Sequence, residues 1–239
     1  MTRFGGGSTI VERPPYGAAV RPVPPVRLLS HDPDPASTAG SVPPVTEVAT
    51  AKLPTDHGTF QIHVFESRLD DATHVALVCG DLGDGERVLA RVHSSCVTGD
   101  IFHSSRCDCG QQLEMAMRRV AEEGRGVVLY LFQEGRGIGL ANKIRAYALQ
   151  EQGRDTVEAN EQLGFDADLR DYASAVEIFR LLGVKSLRLM SNNPRKLEGV
   201  TGGELAIVER VPLEVKPSEN NRRYLQTKKQ KLGHKLSKV

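Results

Sequence analysis

Three of the chain's four cysteines, Cys96, Cys107 and Cys109, lie within fourteen residues of a run that starts at Arg91-Val-His-Ser-Ser-Cys96 and ends at Arg106-Cys-Asp-Cys-Gly110. A turn across the ten residues between Cys96 and Cys107 brings all three thiolates to one ion, with Asp108 pointing away. The chemistry is that of zinc. Three protein ligands leave the fourth tetrahedral position to water, which marks a catalytic metal and not a structural one. Three buried structural cysteines are the alternative, and clustering in a cysteine-poor chain argues against it. Cys79 sits inside a strand-like pattern and reads as a small core residue.

Two other stretches suit an anion. Gln133-Glu-Gly-Arg-Gly-Ile-Gly139 follows an apolar run and opens a helical pattern, so flexible backbone, Arg136 and a helix start come together. Ser191-Asn-Asn-Pro-Arg-Lys196 follows a second strand pattern with a hydroxyl, two amides and two cations. Either alone reads equally well as an ordinary turn. Taken together, at the ends of strands in one sheet, they occupy the place where α/β folds put ligands.

The elements that must position these loops change character along the chain. Residues 1–45 carry nine of the thirteen prolines and no apolar periodicity, so they read as a disordered Pro-rich tail, and 46–239 as the catalytic domain. Strand patterns at 48–53, 60–65, 74–79 and 87–92, separated by Gly and Asp clusters, predict an antiparallel sheet that delivers Arg91 and His93 to the cysteine loop. Helical spacing then takes over. Leu113, Met117, Val120 and Ala121 form one face, closed by Gly124, and a buried strand follows at 127–132. A second helix carries Leu140, Ile144, Tyr147 and Ala148. A third, from about Ala167, carries Tyr172, Val176, Phe179 and Leu182 and leads into a strand at 184–190. The fold class is α+β, or mixed α/β: antiparallel N-terminal strands leading into a mixed sheet flanked by helices.

Composition excludes several partners. Lys plus Arg (31) balances Asp plus Glu (30), so a net charge of +1 provides no bulk attraction to nucleic acid or a membrane, and an anionic ligand must be met locally. The basic residues Arg222, Arg223, Lys228, Lys229, Lys231 and Lys235 read as a solvated helix face. No apolar run approaches the length of a membrane span, the N-terminus lacks a secretory pattern, and reduced cysteines fit the cytoplasm.

The motifs Arg91 to Asp100, Arg106-Cys-Asp-Cys-Gly110, Gln133 to Leu140, Asn142-Lys-Ile-Arg-Ala-Tyr147, Asp155-Thr-Val-Glu-Ala-Asn160, Leu163-Gly-Phe165 and Ser191-Asn-Asn-Pro194, in this order, resemble the GTP cyclohydrolase II family over most of residues 46–236. The resemblance implies Cys96, Cys107 and Cys109 as zinc ligands. It implies GTP contacts at Arg91, Val92, His93, Ser94, Ser95, Gln112, Glu134, Gly135, Arg136, Thr156, Ser191 and Lys196. It further implies proton transfer by Tyr147, an acid/base carboxylate in Asp168, and Arg170 as a nucleophile toward the α-phosphate. The reaction it implies opens the imidazole ring of GTP, releasing formate and pyrophosphate for riboflavin synthesis, with Zn2+ on the chain, Mg2+ on the triphosphate, and a homodimer as the assembly. Ser95, Phe132 and Ser191 depart from the family's frequent Glu, Arg and Thr. An arginine is almost always protonated and a poor nucleophile, so electrostatic stabilisation by Arg170 is the competing role. A zinc nucleobase deaminase would show His-x-Glu and Pro-Cys-x-x-Cys, and this chain has neither. A family variant that keeps the formyl group or serves a secondary-metabolite pathway, and a non-catalytic GTP-binding protein, are the remaining alternatives.

If the tail contributes no packing, deleting residues 1–44 leaves solubility and turnover nearly unchanged. Aggregation of the truncated chain, or loss of most of its activity, would show the tail to be structural.

Overall fold

The computed structural model describes residues 42–166, 168–201 and 205–239. Residues 1–41 of the expected tail lie outside that set. Val45, assigned to the tail's end, is instead the first residue of a strand, 2% exposed in the core.

Seven strands form one mixed sheet among the described residues. β1 (Val45–Thr55), β2 (Gly58–Ser67) and β3 (Ala72–Cys79) make an antiparallel meander joined by tight turns. β4 (Val88–Ser94) does not continue it. β5 (Gly126–Leu131) inserts between them, antiparallel to β3 and parallel to β4. β6 (Ser186–Met190) and β7 (Ala206–Val211) extend the parallel half, giving the order β1-β2-β3-β5-β4-β6-β7. The antiparallel expectation therefore holds for three strands and fails for the fourth. The reason is legible in burial: β4 is buried at six successive positions, as a central parallel strand covered on both faces must be.

Six helices cover the sheet among the described residues: α1 (Cys109–Glu123), α2 (Gly139–Glu151), α3 (Thr156–Gln162), α4 (Ala173–Leu181), α5 (Pro194–Val200) and α6 (Arg222–Lys231). Strand alternation divides the core in two. Ala90, Val92, Val127 and Leu129 face Ile178 and Phe179 of α4, while Leu89 and Val128 on the other face meet Ala116 and Val120 of α1. No helix among the described residues is long and apolar enough to cross a membrane.

Two helices depart from the spacing argument. The helix expected from about Ala167 begins at Ala173, because Asp168 accepts from the Arg170 amide (3.2 Å) and Asp171 from the Ala173 amide (2.6 Å). Carboxylates that satisfy amides two residues on hold the chain in turns and delay the helix. On α2 the apolar residues Leu140 and Ile144 remain 42% and 46% exposed, so that stripe is not core. α3 coincides with the Asp155–Asn160 motif, and Asp155 and Glu158 form a reciprocal capping box at its start.

Parallel strands place their carboxyl ends side by side. The cysteine loop follows β4, the glycine-rich loop follows β5 and the Ser191 loop follows β6, so three neighbouring strands present all three candidate loops on one edge.

Candidate functional site

The cysteine loop is tied down by a carboxylate. Asp100 accepts hydrogen bonds from the Cys96 amide (2.9 Å) and the Tyr130 hydroxyl (2.9 Å), and its side chain is only 3% exposed. His93 also meets it through Nε2 at 3.1 Å, its ring stacked on Tyr130 with centroids 5.4 Å apart. The wide helical turn Val97–Ile101 then folds back, and the ligand atoms of Cys96, Cys107 and Cys109 all lie within 4.8 Å of one another.

These residues fit a tetrahedral thiophilic ion. Zinc–sulfur bonds of about 2.3 Å place the sulfurs roughly 3.8 Å apart along a tetrahedral edge, and Cys96 Sγ lies 3.7 Å from Cys107 Sγ. Gly99 closes the back of the cluster: a Cβ there would meet Cys107 Sγ at 2.9 Å and Cys96 Sγ at 3.2 Å. Hydrogen bonds from Cys107 and Cys109, with the Lys143 ammonium, hold the Cys96 thiol far below the ordinary thiol range, while contact with the other two sulfurs pushes Cys109 up. A divalent cation would draw the protons off all three sulfurs. Cys79 lies in β3, partly buried and outside the cluster.

The cluster opens into a cavity with about 1090 Å³ of empty volume, counting solvent at its mouth. Arg91 projects from β4, donating to the Met190 carbonyl (2.9 Å) and to Gln112 Oε1 (2.6 Å) on α1. Gln112 in turn donates to Asp108 (2.5 Å). Glu134 joins the two loops, accepting from the Val97 amide (2.7 Å) and from Lys143 (2.7 Å), which also donates to Cys96 Sγ (3.1 Å). Gly135 and Arg136 both adopt left-handed backbone, φ 64° and 62°. At Arg136 that is strained for a residue with a Cβ, and such strain concentrates at functional sites. Its Nη1 is buried and has no hydrogen-bond partner among the described residues.

Lys196 is 3% exposed and donates to the Val92 carbonyl (2.8 Å); burial, with Arg91 and Arg170 nearby, pushes its ammonium well below the usual lysine range. Tyr147 on α2 reaches the metal loop, its hydroxyl 3.2 Å from Thr98 Oγ1, and burial pushes the phenol up. Arg170 grips Asp168 with Nε at 2.8 Å and Nη2 at 2.6 Å. Burial opposes the charge on Asp168, but the Arg170 contacts hold its carboxyl below the usual range.

Of the GTP contacts expected from sequence, Arg91, His93, Ser94, Ser95, Gln112, Glu134, Gly135, Arg136, Thr156, Ser191 and Lys196 all line this cavity. Val92 does not. Strand alternation turns its side chain into the core opposite Arg91, leaving only its carbonyl, already held by Lys196. Asp168 is also off the lining and stands behind Arg170. Phe132 lies 54% exposed, edge-on to Tyr130. Arg106, Lys143, Tyr224, Lys228 and His234 line the cavity without having been singled out as site residues. The Asn142–Tyr147 motif contained Lys143, one helical turn from Tyr147, which could have revealed it. Lys228 corrects the solvated-face reading of the C-terminal basic stretch, since its side chain is 11% exposed and donates to Asp108 (2.8 Å).

Fold and site together define an α/β protein whose three-thiolate cluster opens into a basic cavity at the carboxyl edge of its sheet. Comparison with known proteins agrees. The GTP cyclohydrolase II profile matches residues 46–212. A GTP cyclohydrolase-2 of Hahella chejuensis is 58% identical over 193 residues, covering 81% of this chain and 93% of that protein. The riboflavin biosynthesis protein RibBA of Bacillus cereus is 58% identical over 193 residues, 81% of this chain and 49% of the relative. The RibBA of Endomicrobium trichonymphae is 55% identical over 195 residues, 82% of this chain and 48% of the relative. The chain thus spans about half the length of the RibBA relatives it matches. It belongs to the GTP cyclohydrolase II family.

A three-thiolate ion gives a direct test: the protein should hold about one zinc per chain. Cys107→Ser should lose most of it and Cys79→Ser should keep it, by metal analysis after dialysis against a mild chelator. Full occupancy in Cys107→Ser would remove that ligand from the set.

Proposed function

We propose that this chain hydrolyses GTP at C8 of the purine, opening the imidazole ring and releasing formate and pyrophosphate. The product is 2,5-diamino-6-(5-phosphoribosylamino)pyrimidin-4(3H)-one, the first step of riboflavin biosynthesis. One observation carries the reading: a three-thiolate cluster and a set of buried cations line a single cavity in a chain of this family. The names of the relatives, GTP cyclohydrolase-2 and riboflavin biosynthesis protein, support it. Zn2+ on the thiolates, Mg2+ accompanying the triphosphate, a homodimer and a cytoplasmic location belong to the same proposal.

Cys96, Cys107 and Cys109 would hold the zinc, which when bound supplies the Lewis acidity that makes water a nucleophile near neutral pH. Thiolates donate more charge than imidazoles and blunt that acidity, so the hydrogen bond from Lys143 to Cys96, which draws charge off the sulfur, has a chemical use. Tyr147 is the proton carrier of the ring-opening half. Its raised phenol stays protonated at neutral pH, so it enters as a donor close to the metal loop.

Arg170 acts at the phosphates. Asp168 hydrogen-bonds the guanidinium through both oxygens and raises its pKa above the ordinary arginine value, which supports a stable cation over a nucleophile. A positioned guanidinium stabilises charge that develops on the leaving pyrophosphate. Asp168 then serves by orienting Arg170, since both carboxylate oxygens are engaged.

The test is to incubate the zinc-loaded protein with GTP and identify products by mass spectrometry; GTP recovered intact, or converted only to GDP, would contradict the reading. In the same assay Tyr147→Phe should bind GTP yet lose most formate release. Arg170→Ala should slow pyrophosphate release by about a hundredfold to a thousandfold with zinc retained. Normal pyrophosphate release from Arg170→Ala would take that residue out of the mechanism.

A further inference from the structure

The family profile ends at residue 212, yet the cavity wall continues past it through Tyr224, Lys228 and His234. α6 is seated by Leu225 and Thr227, both buried, and by the Lys228 bond to Asp108. At its end Gly233 takes a left-handed φ of 66°, the chain reverses, and the His234 amide donates to the Lys228 carbonyl (3.0 Å). The Lys235 amide then donates to the Asn192 carbonyl (2.8 Å) in the loop after β6, and the Ser237 amide to Glu214 (2.8 Å). Main-chain bonds on both sides thus hold residue 234 in place whatever its side chain.

His234 lines the same cavity as Lys228 of its own segment, Arg136 of the loop after β5 and Arg170 of the loop before α4, and these cations, with the Asp108 carboxylate, act on its ring. Burial, then repulsion by those three cations, presses the imidazole down to about 3. It therefore meets a ligand neutral, with an N–H to donate. A neutral donor ringed by cations is suited to an incoming polyanion, because added positive charge would be repelled and an acceptor-only group would compete with the ligand.

We propose that His234 is a substrate-binding residue whose imidazole N–H contacts the phosphate chain of the nucleotide, making the C-terminal segment a working wall of the site. This rests on the GTP reading for the identity of the nucleotide; the contact itself needs only a polyphosphate. Binding has a further consequence. A polyphosphate offsets the repulsion from Lys228, Arg136 and Arg170 while the burial stays, so binding raises the imidazole's affinity for a proton and the direction is proton uptake below the ordinary imidazole range.

Calorimetry on the zinc-loaded full chain, in two buffers of different ionisation enthalpy at about pH 6, measures affinity and proton uptake together. The ligands are GTP, inorganic tripolyphosphate and guanosine. His234→Ala should weaken GTP and tripolyphosphate by about tenfold or more, the worth of a hydrogen bond to a charged group, and leave guanosine within about twofold. His234→Gln keeps an N–H donor but cannot titrate, so it should recover part of the affinity and none of the proton uptake. Tripolyphosphate bound by His234→Ala as tightly as by wild type would overturn the proposal, and so would equal weakening of guanosine. A wild-type protein that binds tripolyphosphate but not GTP would contradict the nucleotide reading alone, with His234 then decided by the tripolyphosphate series.

Discussion

The site depends on a buried carboxylate. Asp100 is nearly sealed from solvent, and an ion so placed is tolerable only when its oxygens are hydrogen-bonded. Its partners are the Cys96 amide, the Tyr130 hydroxyl on β5 and His93 on β4. One side chain therefore fixes the first metal-ligand candidate to the two central strands. Gly99, beside it, leaves room for the sulfurs where a Cβ would not fit. The thiolate geometry is a consequence of sheet register and of this anchor, and the bonds of the Val97 amide to Glu134 and of Lys143 to Cys96 tie the loop to its neighbours.

The cavity presents the opposite electrostatic situation. A chain with net charge +1 gathers Arg91, Arg106, Arg136, Arg170, Lys143, Lys196 and Lys228 around one opening. Some are compensated internally: Lys143 by Glu134, Arg170 by Asp168, Lys228 by Asp108. Lys196 has no carboxylate partner among the described residues, only the Val92 carbonyl and the Tyr172 ring at 5.5 Å, and burial with repulsion from Arg91 and Arg170 lowers its affinity for a proton. Cations crowded in a partly desolvated space cost stability in the free protein, and a polyanion relieves that cost on binding. Binding energy gained this way is stored in the fold beforehand, as electrostatic preorganisation requires.

How much of this was legible in the sequence varied with the range of the interaction. The cysteine cluster was legible because metal ligation demands residue types that are otherwise scarce, and the two anion loops because Gly, Asn and Pro carry backbone information locally. The alternation of Arg91 with Val92 was present in the strand pattern, yet the resemblance carried the whole run into the site; pleating separates their side chains. The parallel placement of β4 was hidden, since a strand's own pattern does not name its partner. Lys228 and His234 were missed for a related reason. They are distant in sequence from every motif, and their place in the cavity wall arises only when α6 folds back onto Asp108 and the chain reverses at Gly233 toward Asn192. Charge in a basic helix reads as solvated until tertiary contact turns one residue inward.

The central claim is that three sulfurs from one loop hold a metal whose fourth position faces the cavity. X-ray absorption of the zinc-loaded chain measures this directly. Three sulfurs at about 2.3 Å and one light oxygen or nitrogen atom at about 2.0 Å are expected. A shell of four sulfurs, or of two or fewer, would contradict it.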